Sequence, residues 1–177
     1  MNNYIITSPQ SGRALPPQAF VEESGGEYVQ RKGRSLERLQ KEYDAAGVIV
    51  WRHDKGPVLY RHGAQELFFH PSMAKNRLAA WRKHAIIDAM AAVAGLKKGD
   101  CWLDCTAGLG SDAITAAYFA EREVIALESE PVIALVVKWG MRCYQTQMTW
   151  LKESISRVNI INIEHQVFLE LQPDESF

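Results

Sequence analysis

Apolar and polar positions follow different patterns in the two halves of the chain, and this change predicts two kinds of architecture. Short apolar runs in the first half predict strands at residues 4–6, 27–30, 48–51 and 58–60. Apolar positions at helical spacing predict a helix at residues 35–45 and one long helix or two consecutive helices at residues 72–96. The stretch from residue 7 to residue 26 is rich in Ser, Pro and Gly and predicts a loop.

After residue 100, strands alternate with helices. The predicted strands are residues 101–104, 123–127 and 159–163, and the predicted helices are residues 111–119, 132–144, 148–155 and 166–171. This alternation indicates right-handed βαβ units and a parallel sheet. We therefore predict an α/β fold with a small N-terminal α+β unit at residues 1–71. Linking helices and a parallel-sheet domain are predicted at residues 72–177, with a polar turn near residue 97 between them.

The composition excludes several classes of protein. With 47% hydrophobic and 23% charged residues, it is typical of a globular domain. The longest apolar stretches, residues 85–96 and 132–137, are shorter than the roughly 20 residues that a membrane span requires. The N-terminus lacks the features of a signal peptide, and the three cysteines lack the spacing of a disulfide framework or zinc site. We expect a cytoplasmic protein that binds neither membrane nor metal.

The charge distribution is uneven. Residues 1–100 carry 15 Lys and Arg against 10 Asp and Glu, whereas residues 101–177 carry 5 against 11. The basic side chains are therefore candidates for contacts with RNA phosphates, the alternative being a solvated surface. These candidates are Arg31, Lys32, Arg34, Lys75 and Arg77.

The most informative motif lies at residues 101–113, where a short apolar strand leads into a glycine loop and a helix. Gly108 and Gly110 permit a tight loop that a ligand can approach closely. Asp104 and Glu128 each lie at the carboxyl end of a predicted strand, the edge at which open α/β sheets bind ligands. Two carboxylates there can accept hydrogen bonds from an ammonium group and from ribose hydroxyls.

Two classes of cofactor are compatible with this motif. Residues 108–113 satisfy the dinucleotide pattern G-x-G-x-x-A, and Glu128 follows Gly108 at the distance of a ribose-binding acid, so a nicotinamide or flavin protein is one possibility. In that pattern, however, the first glycine closely follows the strand, whereas here residues 104–107 intervene. An acid at the strand end before G-x-G resembles instead the first motif of class I S-adenosylmethionine-dependent methyltransferases. Thr106 stands where that family most often has glycine.

Three segments together resemble the RsmJ-like group, which contains small-subunit rRNA guanine-N2 methyltransferases and uncharacterised bacterial relatives. The segments are D-C-T-A-G-L-G-S-D-A, the upstream F-F-H-P-S-M-A-K-N-R, and A-L-E-S-E-P-V-I-A-L-V-V-K. The resemblance begins near residue 27 and continues to the end of the chain. Within the upstream segment, Phe68 and Phe69 are either core residues, with His70 capping a turn, or a stacking lid near the cofactor.

The resemblance implies S-adenosyl-L-methionine as the cofactor and assigns roles to individual residues. Asp104 would face the methionyl end, Glu128 and Ser129 would hold the ribose, and Glu164 and His165 would flank the adenine. Ser111 and Asp112 would contact the cofactor from the start of the helix. Thr106, Gly108 and Gly110 would complete the loop around it.

The resemblance also implies a Rossmann-like sheet of seven strands, of which this chain offers the first three, in the order 3-2-1. The family's fourth strand ends in a D-P-x-aromatic type of loop that accepts hydrogen bonds from the target amine, and no such loop occurs here. Residues 172–177 resemble the approach to that strand, so we expect a fragment whose catalytic residues lie beyond Phe177. The favoured partner is RNA or the small ribosomal subunit. The alternatives are a non-catalytic cofactor- or RNA-binding module and an NAD-dependent oxidoreductase.

Overall fold

The computed structural model describes residues 3–10 and 14–173, which form two β-sheets and the helices around them. The strands are β1 (Tyr4–Thr7), β2 (Glu27–Tyr28), β3 (Gly47–Arg52), β4 (Gly56–Tyr60), β5 (Leu67–Phe68), β6 (Leu103–Asp104), β7 (Val124–Glu128) and β8 (Val158–Asn162). The helices are α1 (Gln18–Ser24), α2 (Leu36–Glu42), α3 (Ser72–His84), α4 (Ala89–Ala94), α5 (Ser111–Ala120), α6 (Pro131–Cys143), α7 (Thr149–Ser156) and α8 (His165–Glu170). None of the helices in the described residues has the length and apolar character of a membrane-spanning segment.

The second sheet has the predicted topology. Its strands are all parallel and run in the order β6-β7-β8, which confirms the predicted 3-2-1 arrangement. Among the described residues, β6 pairs with β7 alone, at Leu103 with Ile125 and Asp104 with Ala126. The predicted approach to a fourth strand, residues 172–177, falls largely outside the described residues.

The first sheet is mixed, with the order β2-β1-β3-β4-β5. β1 runs parallel to β2 and β3, and a hairpin joins β3 to β4 in antiparallel pairing. Ser35 caps the N-terminus of α2, because its hydroxyl accepts a hydrogen bond from the backbone N–H of Arg38. The division of the chain at residue 71 stays a prediction.

The predicted loop between residues 7 and 26 is wrong in part, because it contains α1. Pro17 lies at the N-cap of this helix, and Gly25 ends it with φ +61°, a left-handed conformation that glycine adopts without steric cost. Phe20, which is fully buried, attaches the helix to the first sheet through a ring contact with Trp51. The strand β5 was also not predicted, because its two residues are too few to show an alternation of apolar and polar positions.

The helix α6 joins the two sheets into one structure. Val132 and Val136 belong to the apolar cluster beneath the first sheet, which includes Ile49. Val137 and Met141, on the same helix, belong to the cluster around the second sheet. The helix that packs on the first sheet therefore also packs on the sheet that carries the glycine loop.

Candidate functional site

The glycine loop after β6 makes one backbone hydrogen bond to the neighbouring strand and another within itself. The N–H of Ala107 donates to the carbonyl of Leu127 over 2.8 Å, and the N–H of Gly110 donates to the carbonyl of Ala107 over 2.6 Å. Gly108 and Gly110 both have positive φ angles, +49° and +74°, as the sharp turn requires. The turn brings the start of α5 to the carboxyl edge of the parallel sheet.

Gly110→Ala is expected to lower the free energy of unfolding by about 2 kcal/mol. A Cβ there would combine an unfavourable φ with a contact of 2.4 Å to Met141 Cε, which must move aside. Gly108→Ala is the matched control, since its Cβ would meet no atom closer than 4.0 Å and would leave only the backbone strain. Urea denaturation measures both variants, and equal losses would contradict a contribution from the Met141 contact.

Glu128 lies at the end of β7 with its carboxylate directed at the glycine loop. Its Oε2 accepts a hydrogen bond from the N–H of Gly108 over 3.1 Å, and its Oε1 accepts one from the N–H of Glu130 over 3.0 Å. A carboxylate has about four lone-pair positions, so roughly two remain for a ligand. The backbone therefore holds this acid in one orientation while leaving acceptor capacity for a pair of hydroxyl groups.

Asp104, at the end of β6, is the buried acid of the site, with 8% of its surface exposed. Its Oδ1 accepts a hydrogen bond from the N–H of Thr106 over 3.0 Å. Burial raises the pKa of Asp104, and the negative charges of Asp112 and Glu128 add to the increase, whereas the Thr106 hydrogen bond opposes it. A cationic ligand group beside Asp104 would relieve both the burial cost and the repulsion.

Asp104→Asn is expected to stabilise the cofactor-free protein at neutral pH by about 1 kcal/mol, because it removes a buried charge. An Asn oxygen can still accept from the N–H of Thr106. Between the ordinary pKa of an Asp carboxyl and the raised pKa of Asp104, the folded state binds more protons than the unfolded state, so stability falls as pH rises through that window. The gain from Asp104→Asn should therefore shrink as the pH falls through that window and be lost at the ordinary Asp pKa of about 4, and a gain independent of pH would contradict this explanation.

The ends of β7 and β8 bring the other predicted cofactor residues to the same edge. Ser129 follows β7, whereas Glu164 and His165 lie at the start of α8, with His165 Nδ1 3.0 Å from Glu164 Oε1. Asn162 is a residue that the sequence analysis missed. Its Nδ2 donates to the carbonyls of Glu128 and Ser129, over 2.7 and 3.1 Å, and so ties the two strand ends together. The sequence did contain a signal for Asn162, namely a polar residue at the end of a largely apolar strand.

At the start of α5, Ser111 and Asp112 both contact Arg77 of α3. The Arg77 guanidinium donates to Ser111 Oγ over 3.3 Å and also to Asp112 Oδ1, and the same group binds Asp88. Arg77 was predicted as an RNA contact, yet most of its donors are engaged within the protein. Thr106 and Asp112 remain exposed.

The other predicted RNA contacts differ in how much they are engaged. Arg34 donates to the carbonyls of Gln30 and Arg31 and to Glu42 Oε1, and the Nε of Arg31 returns a hydrogen bond to the Arg34 carbonyl. Lys32 is exposed in the same turn, with φ +45°. Lys75 lies half-buried on α3. A role in RNA binding stays a prediction for all of these residues.

Of the two alternatives for the upstream aromatic segment, core residues or a stacking lid, Phe69 occupies a core position. This residue is 3% exposed and lies against Gly140 of α6 and the ring of Tyr144. Phe68 is half-buried, with Lys55 Nζ 4.0 Å from its ring centroid. Within residues 3–10 and 14–173, no group of three or more His, Cys, Asp or Glu side chains is arranged to hold a metal ion.

Comparison with known proteins identifies relatives that share most of this chain. The uncharacterized protein YpiP of Bacillus subtilis is 28% identical over 151 residues, which are 84% of this chain and 58% of that protein. The ribosomal RNA small subunit methyltransferase J of Francisella tularensis is 33% identical over 144 residues, 80% of this chain and 57% of that protein. The chain thus spans less than two thirds of the length of these relatives. No family model matches it.

A solved structure shares the fold. A SAM-dependent methyltransferase from Neisseria gonorrhoeae superimposes with a TM-score of 0.61 over 94% of this chain and 64% of that one, at 16% sequence identity. The predicted Rossmann-like α/β class is confirmed by this similarity. At such low identity the superposition shows the fold alone.

Proposed function

Because this chain is a distant homologue of the ribosomal RNA small subunit methyltransferase J proteins and has a methyltransferase fold, we propose that it is the cofactor-binding part of an S-adenosylmethionine-dependent methyltransferase. The favoured methyl acceptor is RNA. Within that class the resemblance of its motifs favours the exocyclic amine N2 of a guanine in small-subunit rRNA.

One observation carries the proposal, namely the convergence of Glu128, Asp104 and the glycine loop at the carboxyl edge of the parallel sheet. Glu128 is fixed by the N–H groups of Gly108 and Glu130 and keeps acceptor capacity, which suits the two hydroxyl groups of a ribose. Asp104 is buried beside two other acids, which suits the positively charged methionyl end of the cofactor. These two acids therefore fit the ribose and the methionyl end of S-adenosylmethionine.

When bound, the cofactor would supply an activated methyl group on a sulfonium ion. The residues of this chain bind and orient it: Glu128 and Ser129 hold the ribose, and Glu164 and His165 flank the adenine. Asp104 stabilises the cationic end, in a site whose acidic groups are positioned before the cofactor arrives. The acceptors that would hold the target amine are expected from a segment beyond Phe177. A guanine in a duplex would have to leave its stack to reach the site.

Three observations favour RNA as the acceptor. The homologues with a stated activity are ribosomal RNA methyltransferases by name. Basic residues are concentrated in the first 100 residues, on the opposite half of the chain from the acidic site. Among them, Lys32 is exposed in a turn, where a phosphate group could reach it.

Calorimetric titration of the protein with S-adenosylhomocysteine and, separately, with NADH tests the proposed cofactor. We expect binding of S-adenosylhomocysteine and none of NADH. The reverse result would replace the proposal with the oxidoreductase alternative, and binding of neither would overturn it. Transfer of labelled methyl groups to small-subunit rRNA, assayed with the longer protein that includes the expected acceptor segment, would separate an enzyme from a non-catalytic binding module.

A further inference from the structure

The side chain of Arg77 connects α3, on which it lies, with the starts of α4 and α5. From α3, its Nε and one terminal nitrogen donate to the two oxygens of Asp88, over 2.7 and 2.8 Å. Its other terminal nitrogen donates to Ser111 Oγ and to Asp112 Oδ1 at the start of α5. One guanidinium group thus bridges two carboxylates, with 22% of its side chain exposed.

Asp88 provides a firm anchor for this bridge. Its side chain is 7% exposed, and its Oδ1 also accepts hydrogen bonds from the N–H groups of Met90 and Ala91, which makes it the N-cap of α4. The hydrogen bond from Arg77 is the main cause that lowers the pKa of Asp88. A bidentate pair of this kind fixes the guanidinium plane, because both parallel hydrogen bonds must be satisfied at once.

Asp112 differs from Asp88 in being 58% exposed, so little packing holds its side chain in place. It also lies close enough to Asp104 for its charge to contribute to the raised pKa of that acid. Without a neighbouring cation, Asp112 would be free to rotate away from the other acids of the site. The contact with Arg77 therefore decides where this carboxylate lies.

We propose that Arg77 is a positioning residue for the cofactor site, which holds Asp112 in its binding orientation by bridging it to the N-cap of α4. The inference rests on the proposed function, because Ser111 and Asp112 are assigned to the cofactor by the same resemblance. Arg77 acts on the cofactor through Asp112, and its contact with RNA stays a prediction.

Affinity for S-adenosylhomocysteine tests the bridge. Arg77→Ala is expected to raise the Kd about tenfold, the effect of losing one charge-assisted hydrogen bond, and Arg77→Lys should recover part of the loss. Asp88→Asn should reproduce the weakening, because Asn can still cap α4 but cannot offer a carboxylate to the guanidinium. Lys83→Ala removes a cation from the exposed end of the same helix and should leave the Kd unchanged.

A double-mutant cycle distinguishes positioning from general destabilisation. In an Asp112→Asn background, Arg77→Ala should change the Kd less than about twofold, because the group through which it acts is already altered. A full tenfold loss in that background would overturn the proposal. If Arg77→Ala does not fold, the cycle is run with Asp88→Asn in its place.

A measurement without cofactor separates this inference from the proposed function. Hydrogen exchange of the backbone amides at residues 110–115 should be faster in Arg77→Ala than in the wild type, and unchanged in Lys83→Ala. Failure of the wild-type protein to bind S-adenosylhomocysteine would overturn the proposed function and the cofactor role of Arg77, whatever the exchange rates. Normal binding by the wild type with unchanged exchange in Arg77→Ala would overturn the positioning role alone.

Discussion

Glu128→Ala is expected to raise the Kd for S-adenosylhomocysteine about 30- to 700-fold, a loss of about 2 to 4 kcal/mol. The two lone-pair positions that Glu128 keeps open would accept charge-assisted hydrogen bonds from both ribose hydroxyls, and Ala offers no acceptor. The substitution also removes the acceptor of the Gly108 and Glu130 N–H groups, so the glycine loop loses a hydrogen bond to the end of β7. Isothermal titration calorimetry measures the change.

Two variants control for this effect. Glu130→Ala removes a neighbouring exposed acid whose side chain does not cap α6, and it should change the Kd less than about threefold. Asp112→Ala should weaken binding less than Glu128→Ala does, because that carboxylate is largely exposed and is already shared with Arg77. Equal affinities of Glu128→Ala and the wild type for S-adenosylhomocysteine would show that Glu128 does not contribute to cofactor binding.

The parallel sheet was predictable because its signals are local in sequence. Each of β6, β7 and β8 lies in a short segment of mostly apolar residues, and the acid at the carboxyl end of β6 or β7 can be identified without knowing any contact. The 3-2-1 order came from the resemblance of the motifs. The strand order then places Asp104 and Glu128 at one edge, as the hydrogen bond between Gly108 and Glu128 shows.

The helix α1 and the anchoring of Arg77 were not predicted, for different physical reasons. In α1 the local signals were present, since prolines precede the helix and Gly25 follows it, but the surrounding Ser, Pro and Gly residues are typical of a loop. Arg77 and Asp112 lie 35 residues apart, and their pairing depends on how α3 packs against α5. The sequence around a basic residue in a charged helix does not indicate with which carboxylate that residue will pair.

The sequence likewise does not show why position 140 is glycine, because the reason lies in how α6 packs. Gly140 lies within α6, where glycine is unfavourable by about 1 kcal/mol relative to Ala. A Cβ at this position would lie 2.3 Å from Phe69 Cβ and 3.5 Å from Phe69 Cα. Neither atom can rotate away, because both belong to the chain immediately after β5. The close approach of α6 to this segment therefore requires glycine.

Gly140→Ala is accordingly expected to lower the free energy of unfolding by about 2 to 3 kcal/mol, since overpacking outweighs the gain in helix propensity. Gly33→Ala, whose Cβ would meet nothing within 4 Å, should cost only about 1 kcal/mol of backbone strain. The penalty of Gly140→Ala should persist in a Phe69→Ala background, which retains the Cβ, and fall in a Phe69→Gly background. Urea denaturation measures these differences in the free energy of unfolding. A stabilisation by Gly140→Ala would contradict the close approach of α6 to the segment after β5.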